Sequence, residues 1–159
     1  MTVQKDKSAV RVRAADWDQD RDALRRIRHE VFVVGQNVPV DLEWDGEDVD
    51  CDHALAFIDG DMVGTGRLTP AGKIGRMAVL AAARGQQAGA AILTHLVSVA
   101  RARGQARVVL NAQCHALTFY ERAGFVAEGP RFDEAGIAHQ RMVLELGDSS
   151  GGTTDKPGP

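Results

Sequence analysis

The sequence predicts a mixed α/β fold in which helices flank a mostly antiparallel central sheet. Apolar residues alternate between the periodicities of strands and of helices along the chain, in the order β-α-β-β-β-α-β-α-β-β. The pair Asp59-Gly60 separates two apolar runs, which is typical of a tight hairpin turn. The chain has no G-x-G-x-x-G motif and too few β-α units for a doubly wound dinucleotide fold. We therefore expect helices and sheet to form layers around one core.

Composition narrows the functional class. The 159 residues correspond to about one domain, and 44% are apolar, enough to fill its core. A net charge of −3 provides no overall basic field that would favour nucleic acid, and we expect neither a signal peptide nor a membrane-spanning segment. Cys51 and Cys114 lie far apart in the sequence and form no C-x-x-C pair. We therefore expect both to be reduced thiols of a cytoplasmic protein. We expect a cytoplasmic domain over residues 10–146, between disordered tails at 1–9 and 147–159.

The first half of the predicted domain begins with a short strand over residues 10–13. A helix follows, with Asp16 as N-cap and Gln19 completing a capping box, and it ends at Gly35. Its apolar residues recur at helical spacing and should share one buried face: Trp17, Leu24, Ile27, Val31 and Val34. After a loop or broken helix, strands are predicted over residues 52–59, 62–69 and 73–80.

The second half begins with a long helix over residues 86–103, which should bury Ile92, Leu93 and Leu96. Gly104 ends this helix. A strand over residues 107–111 follows, and then a helix over 115–123 that stops at Gly124. Final strands are predicted over residues 125–128 and 139–146.

The segment 75–90 runs from a strand through a turn of small residues directly into the long helix. The first amides of a helix have no intrahelical acceptor, and the helix dipole adds positive potential there. Gly85 and Gly89 would let a diphosphate approach the backbone, and Arg84 adds a charge. The alternative is a turn that is small only because the helix packs closely on the sheet. No G-K-[ST] follows, so the turn is not a P-loop.

Three segments carry a family resemblance. The turn resembles the acetyl-CoA pyrophosphate loop of the GCN5-related N-acetyltransferases (the GNAT family), whose usual pattern is Arg/Gln-x-x-Gly-x-Gly/Ala; Arg84 and Gly89 match it, and Gln87 replaces the middle glycine. Residues 116–125 resemble the family's A-x-x-F-Y-x-x-x-G-F signature. Residues 132–142 and 27–33 are similar to the ElaA/YjcF-like branch, which often has Glu-Gln where this chain has Gly35-Gln36.

The resemblance covers about residues 10–146 and implies the GNAT-type acyl-CoA N-acyltransferase fold. It also implies acetyl-CoA as cosubstrate. We expect a small-molecule amine as acceptor and no metal. The expected donor-binding residues are Met77, Ala78, Val79, Arg84, Gly85, Gln86, Gln87, Ala88, Gly89, Ala90, Asn111, Ala116, Phe119 and Tyr120.

Two side chains are candidates for proton transfer. The resemblance implies that Tyr120 returns a proton to the departing thiolate, a role that suits a phenol with an ordinary pKa of about 10. The alternative is a tyrosine ring packed in the core. His139 is the candidate general base, because an imidazole accepts protons near neutral pH. In a related family member the histidine of a matching Gly-x-x-His-x-x-Met segment has this role. The alternative is a histidine at the start of an edge strand with a satisfied hydrogen bond.

Seven carboxylates crowd residues 41–52, and we expect them to raise one another's pKa and attract a cation. Such a run is usually a solvated loop. The functional alternative is that Glu43, as a catalytic carboxylate, or Asp45 holds the acceptor ammonium or relays its proton. The order of a calcium loop is absent. The expected acceptor-binding residues are Arg28, Glu43, Asp45, His53, Gln113 and His139.

The sequence thus predicts an N-acetyltransferase that acts by direct transfer in a ternary complex. An acyl-cysteine at Cys114 is a weaker mechanism, since no histidine partner is assured. Two other functions stay open: an acyl-CoA sensor without turnover, and acetylation of protein lysines or N-termini. A homodimer through the final strands also stays open.

Overall fold

The computed structural model describes residues 9–40 and 45–147. The predicted order of strands and long helices is confirmed. Glu43 and nearly all of both predicted tails lie outside the described residues. The main elements are β1 (Val10–Ala15), α1 (Trp17–Arg28), β2 (Asp52–Ile58), β3 (Asp61–Leu68), β4 (Ile74–Val79), α2 (Ala88–Ala102), β5 (Arg107–Gln113), α3 (Leu117–Arg122), β6 (Val126–Glu134) and β7 (Ile137–Glu145).

The strands of the described residues form two sheets that touch at one point. An antiparallel sheet has the order β1-β2-β3-β4, and a second has the order β5-β7-β6. Lys73 and Val109 form an isolated parallel bridge between them, and the Val109 amide donates to the Gly72 carbonyl at 3.0 Å. Beyond this bridge the described parts of β4 and β5 share no further pairing, so a wedge opens between the sheets.

Helix α2 packs on the first sheet through two glycines of β3. A Cβ at Gly66 would lie 2.8 Å from Ile92 Cγ2 and 2.9 Å from Met77 Sδ. At Gly64 it would lie 2.9 Å from Ile92 Cδ1. The predicted apolar face of this helix is confirmed, since Ile92 and Leu96 are fully buried. Glycine at these positions lets the helix approach the sheet closely.

The N-cap of α1 is confirmed, but its predicted partner is wrong. Asp16 Oδ1 accepts the Asp18 amide at 2.8 Å. The reciprocal bond to the Asp16 amide comes from Asp20 Oδ2 at 2.9 Å, not from Gln19. Arg13 holds the Asp20 carboxylate with two hydrogen bonds, which places it within reach of the cap.

The helix continues past α1 as a π-helical turn over His29–Val34 and ends at Gly35, as predicted. The Gly35 amide donates to the Glu30 carbonyl at 3.0 Å, five residues back. Because this turn is wider than an α-helical one, it rotates Val34 out of the apolar face, and Val34 is 58% exposed. The prediction that Val34 is buried is therefore wrong, whereas Leu24, Ile27 and Val31 are buried.

The late strands are longer than predicted. Strand β5 extends to Gln113 because its last residues pair with β7, Gln113 lying opposite His139. Strands β6 and β7 form one hairpin, joined at Ala135-Gly136, where both residues have positive φ. All nine residues of β6 are exposed, so this edge strand lacks the apolar alternation that marks a strand in sequence.

The long helix starts at Ala88 rather than at residue 86. Gln87 precedes it with a φ of 75°, a left-handed conformation that cannot continue a helix. No helix in the part of the chain that the structure describes has the length and apolarity needed to cross a lipid bilayer.

Candidate active site

The wedge between the two sheets contains a cleft of about 620 Å³. Strands β4 and β5 form its long walls, α3 and the β6–β7 hairpin close one side, and the end of the first helix closes another. The cleft brings together eight of the residues predicted from sequence: Met77, Val79, Arg84, Asn111, Gln113, Ala116, Tyr120 and His139.

Strand β4 presents unpaired backbone to this cleft. Ala78 pairs with Thr65 and Gly75 pairs with Arg67, so Arg76 and Met77 together stand opposite a single residue of β3. This bulge holds Arg76 at a φ of 50°. An extra residue in a strand leaves backbone groups outside the ladder. Since β4 has no strand partner on its cleft side beyond Lys73 within the described residues, these groups can bind a ligand there.

The turn between β4 and α2 leaves several amides without intrahelical acceptors. The Ala91 amide donates to the Gln87 carbonyl at 3.0 Å, so the amides of residues 88–90 precede the first regular bond of α2. A Cβ at Gly85 would have no heavy atom within 4 Å. Arg84 lines the cleft and donates its Nε–H to the Val79 carbonyl at 3.1 Å. A cationic side chain, an open glycine and three available amides suit a diphosphate.

The other predicted residues of this turn face different surroundings. Gln86, Gln87 and Ala90 line a groove beside β1. Ala88 is buried in the core, and a Cβ at Gly89 would lie 3.4 Å from Phe119 Cζ. None of these five residues lines the cleft.

Tyr120 reaches the cleft from α3. Its ring contacts Phe119 edge-on, with centroids 4.9 Å apart, and Phe125 at 6.0 Å. Burial raises the pKa of Tyr120 to about 12, so the phenol stays protonated at neutral pH. Phe119 packs against the core and Ala78 is buried in it; neither side chain lines the cleft.

His139 lies in β7 with its tautomer fixed. Its Nδ1–H donates to the Ile137 carbonyl at 2.7 Å, which leaves Nε2 as the proton acceptor. Phe132 stacks on the imidazole with centroids 5.7 Å apart. The alternative of a histidine on an edge strand is wrong, because β7 lies between β5 and β6, although one ring nitrogen is satisfied as that alternative expected. The ring lines the cleft, and its role as general base stays a prediction.

An amide pair spans the cleft between the first helix and β5. Gln113 Nε2 donates to Gln36 Oε1 at 2.9 Å, and Gln36 Nε2 donates to Gln113 Oε1 at 3.2 Å. His115 Nε2 donates to the same Gln113 oxygen at 2.7 Å. Gln36 and His115 line the cleft but were not identified from the sequence. Gln36 and its partner Gln113 are 77 positions apart, and no sequence pattern marks a pair at such a distance.

Two residues of the acidic segment are ion-paired, so the expectation that they raise one another's pKa is wrong for them. Asp45 accepts two hydrogen bonds from Arg67, at 3.0 and 2.5 Å, and one from Arg76 at 3.0 Å. These bonds hold the pKa of Asp45 well below its usual value. Asp48 accepts from Arg28 at 2.7 Å and Arg67 at 2.9 Å. Burial alone would raise the pKa of Asp48, but the two guanidinium groups outweigh it and lower it.

Arg28 and His53, expected at the acceptor site, lie away from the cleft wall. Both are buried, with exposures of 1% and 2%. His53 Nε2–H donates to the Asp48 carbonyl at 2.9 Å, and its ring stacks on Trp17. Desolvation lowers the pKa of His53, so it is neutral at neutral pH. These contacts join the acidic segment to α1 and are structural.

Comparisons with known proteins give one consistent result. Residues 36–146, more than half of the chain, match the family model described as "Acetyltransferase (GNAT) domain". The uncharacterized N-acetyltransferase YjcF of Bacillus subtilis is 35% identical over 136 residues, covering 83% of this chain and 96% of YjcF. The crystal structure of an acyl-CoA N-acyltransferase from Pseudomonas aeruginosa has a TM-score of 0.75 and 32% identity, covering 86% and 99% of the two chains. That of Escherichia coli ElaA has a TM-score of 0.76 and 27% identity, covering 86% and 100%.

Proposed function

Because this chain belongs to the GNAT acetyltransferase family and is an acyltransferase, we propose that it transfers an acetyl group from acetyl-CoA to the primary amine of a small molecule. The observation that carries the proposal is the cleft that holds Tyr120, His139 and the unpaired bulge of β4 together. These groups supply an acid, a base and an oxyanion donor.

The donor fits the walls described above. Unpaired backbone of β4 offers hydrogen bonds to the amides of the pantetheine arm, and Asn111 offers a side-chain amide from the opposite wall. The amides of residues 88–90 and Arg84 bind the diphosphate. This arrangement leaves the end of the cleft near His139 for the acceptor.

The reaction is a direct transfer within a ternary complex. His139 Nε2 takes a proton from the acceptor ammonium, and the free amine attacks the thioester carbonyl. A backbone N–H at the Arg76–Met77 bulge stabilises the resulting oxyanion. The C–S bond then breaks, Tyr120 gives its proton to the thiolate, and the surplus proton on the newly acylated nitrogen passes to the tyrosinate, which leaves a neutral amide and a neutral phenol. The burial that raises the pKa of Tyr120 also raises that of a thiol formed beside it, so the proton transfer stays balanced.

Cys114 has no part in this scheme. It follows β5 directly and is half-buried, but it does not line the cleft, although Gln113 and His115 on either side of it do. An acyl-cysteine intermediate would need its sulfur at the thioester. The position of Cys114 therefore supports direct transfer.

The test is CoA thiol release, followed with a thiol reagent, over a panel of small amines and lysine peptides. Wild type is expected to release CoA with at least one small amine, with intersecting initial-velocity lines. Tyr120→Phe is expected to be slower by at least about tenfold. Absence of acceptor-dependent release across the panel would contradict the proposal.

An acyl-CoA sensor is the second candidate, because Gln87 departs from the family's glycine. Gln87 nevertheless has a φ of 75°, a conformation that glycine adopts without strain. The departure therefore does not by itself argue against turnover. Calorimetric binding of acetyl-CoA without CoA release would favour the sensor.

A further inference from the structure

The cleft has a single carboxylate among the described residues that line it, that of Glu134. Asp45 and Asp48 of the acidic segment do not supply another free carboxylate, because both form ion pairs with arginines. Glu134 ends β6 at the hairpin turn and is exposed. Its carboxylate forms no ion pair or hydrogen bond within the described residues. A negative charge is thus available in the cleft at a position that no sequence motif marks.

The register of the hairpin places Glu134 beside His139. Glu134 pairs with Ile137, and Phe132 pairs with His139. Alternate residues of a strand share a face, so all four side chains lie on the cleft face of the hairpin, and the stacking of Phe132 on His139 agrees with this. Glu134 and His139 are therefore diagonal neighbours, a relationship with a typical separation of about 7–8 Å.

The surface between the two groups is apolar. Ile137 lies next to both, and Val31, Phe32 and Val38 line the same cleft. An acceptor that reaches from His139 to Glu134 would therefore present methylene groups to these side chains and a cation to the carboxylate. Lys73 and Arg76 also line the cleft, and Arg76 is paired with Asp45. Because Lys73 could bind an anion, acceptors that carry a carboxylate are the class that competes with dications.

We propose that Glu134 selects acceptors with a second cationic group, so that the preferred substrates are short diamines or similar dications. This inference rests on the proposed function. One nitrogen is delivered to His139 as the nucleophile. The other stays charged and binds Glu134, so the ion pair does not oppose deprotonation of the reacting amine.

The test compares three acceptors of equal chain length, diaminopentane, pentylamine and aminopentanoate, by CoA release. Wild type is expected to favour the diamine over pentylamine by about fivefold in kcat/KM, the upper end for an exposed ion pair. Glu134→Gln should abolish this preference through KM, with little change for pentylamine. Glu128→Gln, the same change in the same strand at a residue paired with Arg141, should keep it.

Three outcomes would overturn the inference while the proposed function stands. They are equal use of diamine and monoamine by wild type, an unchanged preference in Glu134→Gln, and a preference for aminopentanoate. If none of these three acceptors is used but another monoamine is, the inference also fails. If no amine of any kind is acetylated, the proposed function itself fails.

Discussion

His139 donates its Nδ1–H to the backbone carbonyl of Ile137, two residues away in the same strand. This bond leaves Nε2 as the only ring nitrogen that can accept a proton. We predict that His139→Gln lowers kcat/KM by at least about tenfold. The measurement is the rate of CoA release at neutral pH.

His115→Gln is the matched control, since His115 also lines the cleft but donates its Nε2–H to Gln113. It should show the smaller loss of kcat/KM. If His115→Gln lowers kcat/KM more than His139→Gln does, the base has been assigned to the wrong histidine.

Tyr120→Phe removes one hydroxyl and keeps the ring contacts with Phe119 and Phe125. The melting temperature should therefore stay close to that of wild type while turnover falls. Because burial raises the pKa of Tyr120 to about 12, the neutral acid persists into the alkaline range. Wild type should show no alkaline limb from this group below about pH 10. If wild type shows an alkaline limb below about pH 10 and Tyr120→Phe lacks it, this prediction is contradicted.

The sequence was sufficient for the order of the elements because each long one has a clear periodicity. Ile92 and Leu96 mark the buried face of α2, and Asp59-Gly60 marks the hairpin between β2 and β3. The range predicted for β6 ended at residue 128, before the strand itself ends, because all residues of β6 are exposed and show no apolar alternation. Its last residue, Glu134, was missed for the same reason.

The candidate site was predicted where motifs are local and missed where partners are distant in sequence. Tyr120, His139 and Arg84 belong to short motifs, and all three line the cleft. Asp48 was expected in a solvated loop, but Arg28 and Arg67, each about 20 positions away, bury it. Side-chain pairing over such separations has no periodic signal.

Asp48 lies between two buried guanidinium groups, so its removal leaves uncompensated charge. We predict that Asp48→Asn destabilises the fold by about 3–5 kcal/mol, measured by urea unfolding at neutral pH. Asp50→Asn, an exposed site in the same turn, should change the free energy of unfolding by less than about 0.5 kcal/mol. Equal effects would contradict a special role for Asp48.

The pH dependence of stability has a defined sign at the same site. The folded-state pKa of Asp48 is lowered, so its stabilisation is present above the unfolded value of about 3.9 and is lost as pH falls through the folded value. Acid unfolding should be less steep in Asp48→Asn than in wild type.

Gln87 holds a left-handed conformation at the start of α2, with a φ of 75°. Glycine avoids the cost of about 1–2 kcal/mol that a side chain incurs there, less its own entropic cost of about 0.5–1 kcal/mol. We predict that Gln87→Gly raises the free energy of unfolding by about 0.5–1 kcal/mol. Gln86→Gly is the control, because Gln86 does not have positive φ and gains nothing. Destabilisation by Gln87→Gly would contradict the assigned backbone conformation.

The central claim is that the wedge between β4 and β5 binds the acyl donor beside Tyr120 and His139. A crystal structure of the complex with acetyl-CoA tests it most directly. We predict the diphosphate at the turn over residues 84–90, with the thioester at the Arg76–Met77 bulge. A donor bound elsewhere, or a thioester out of reach of both side chains, would contradict the account.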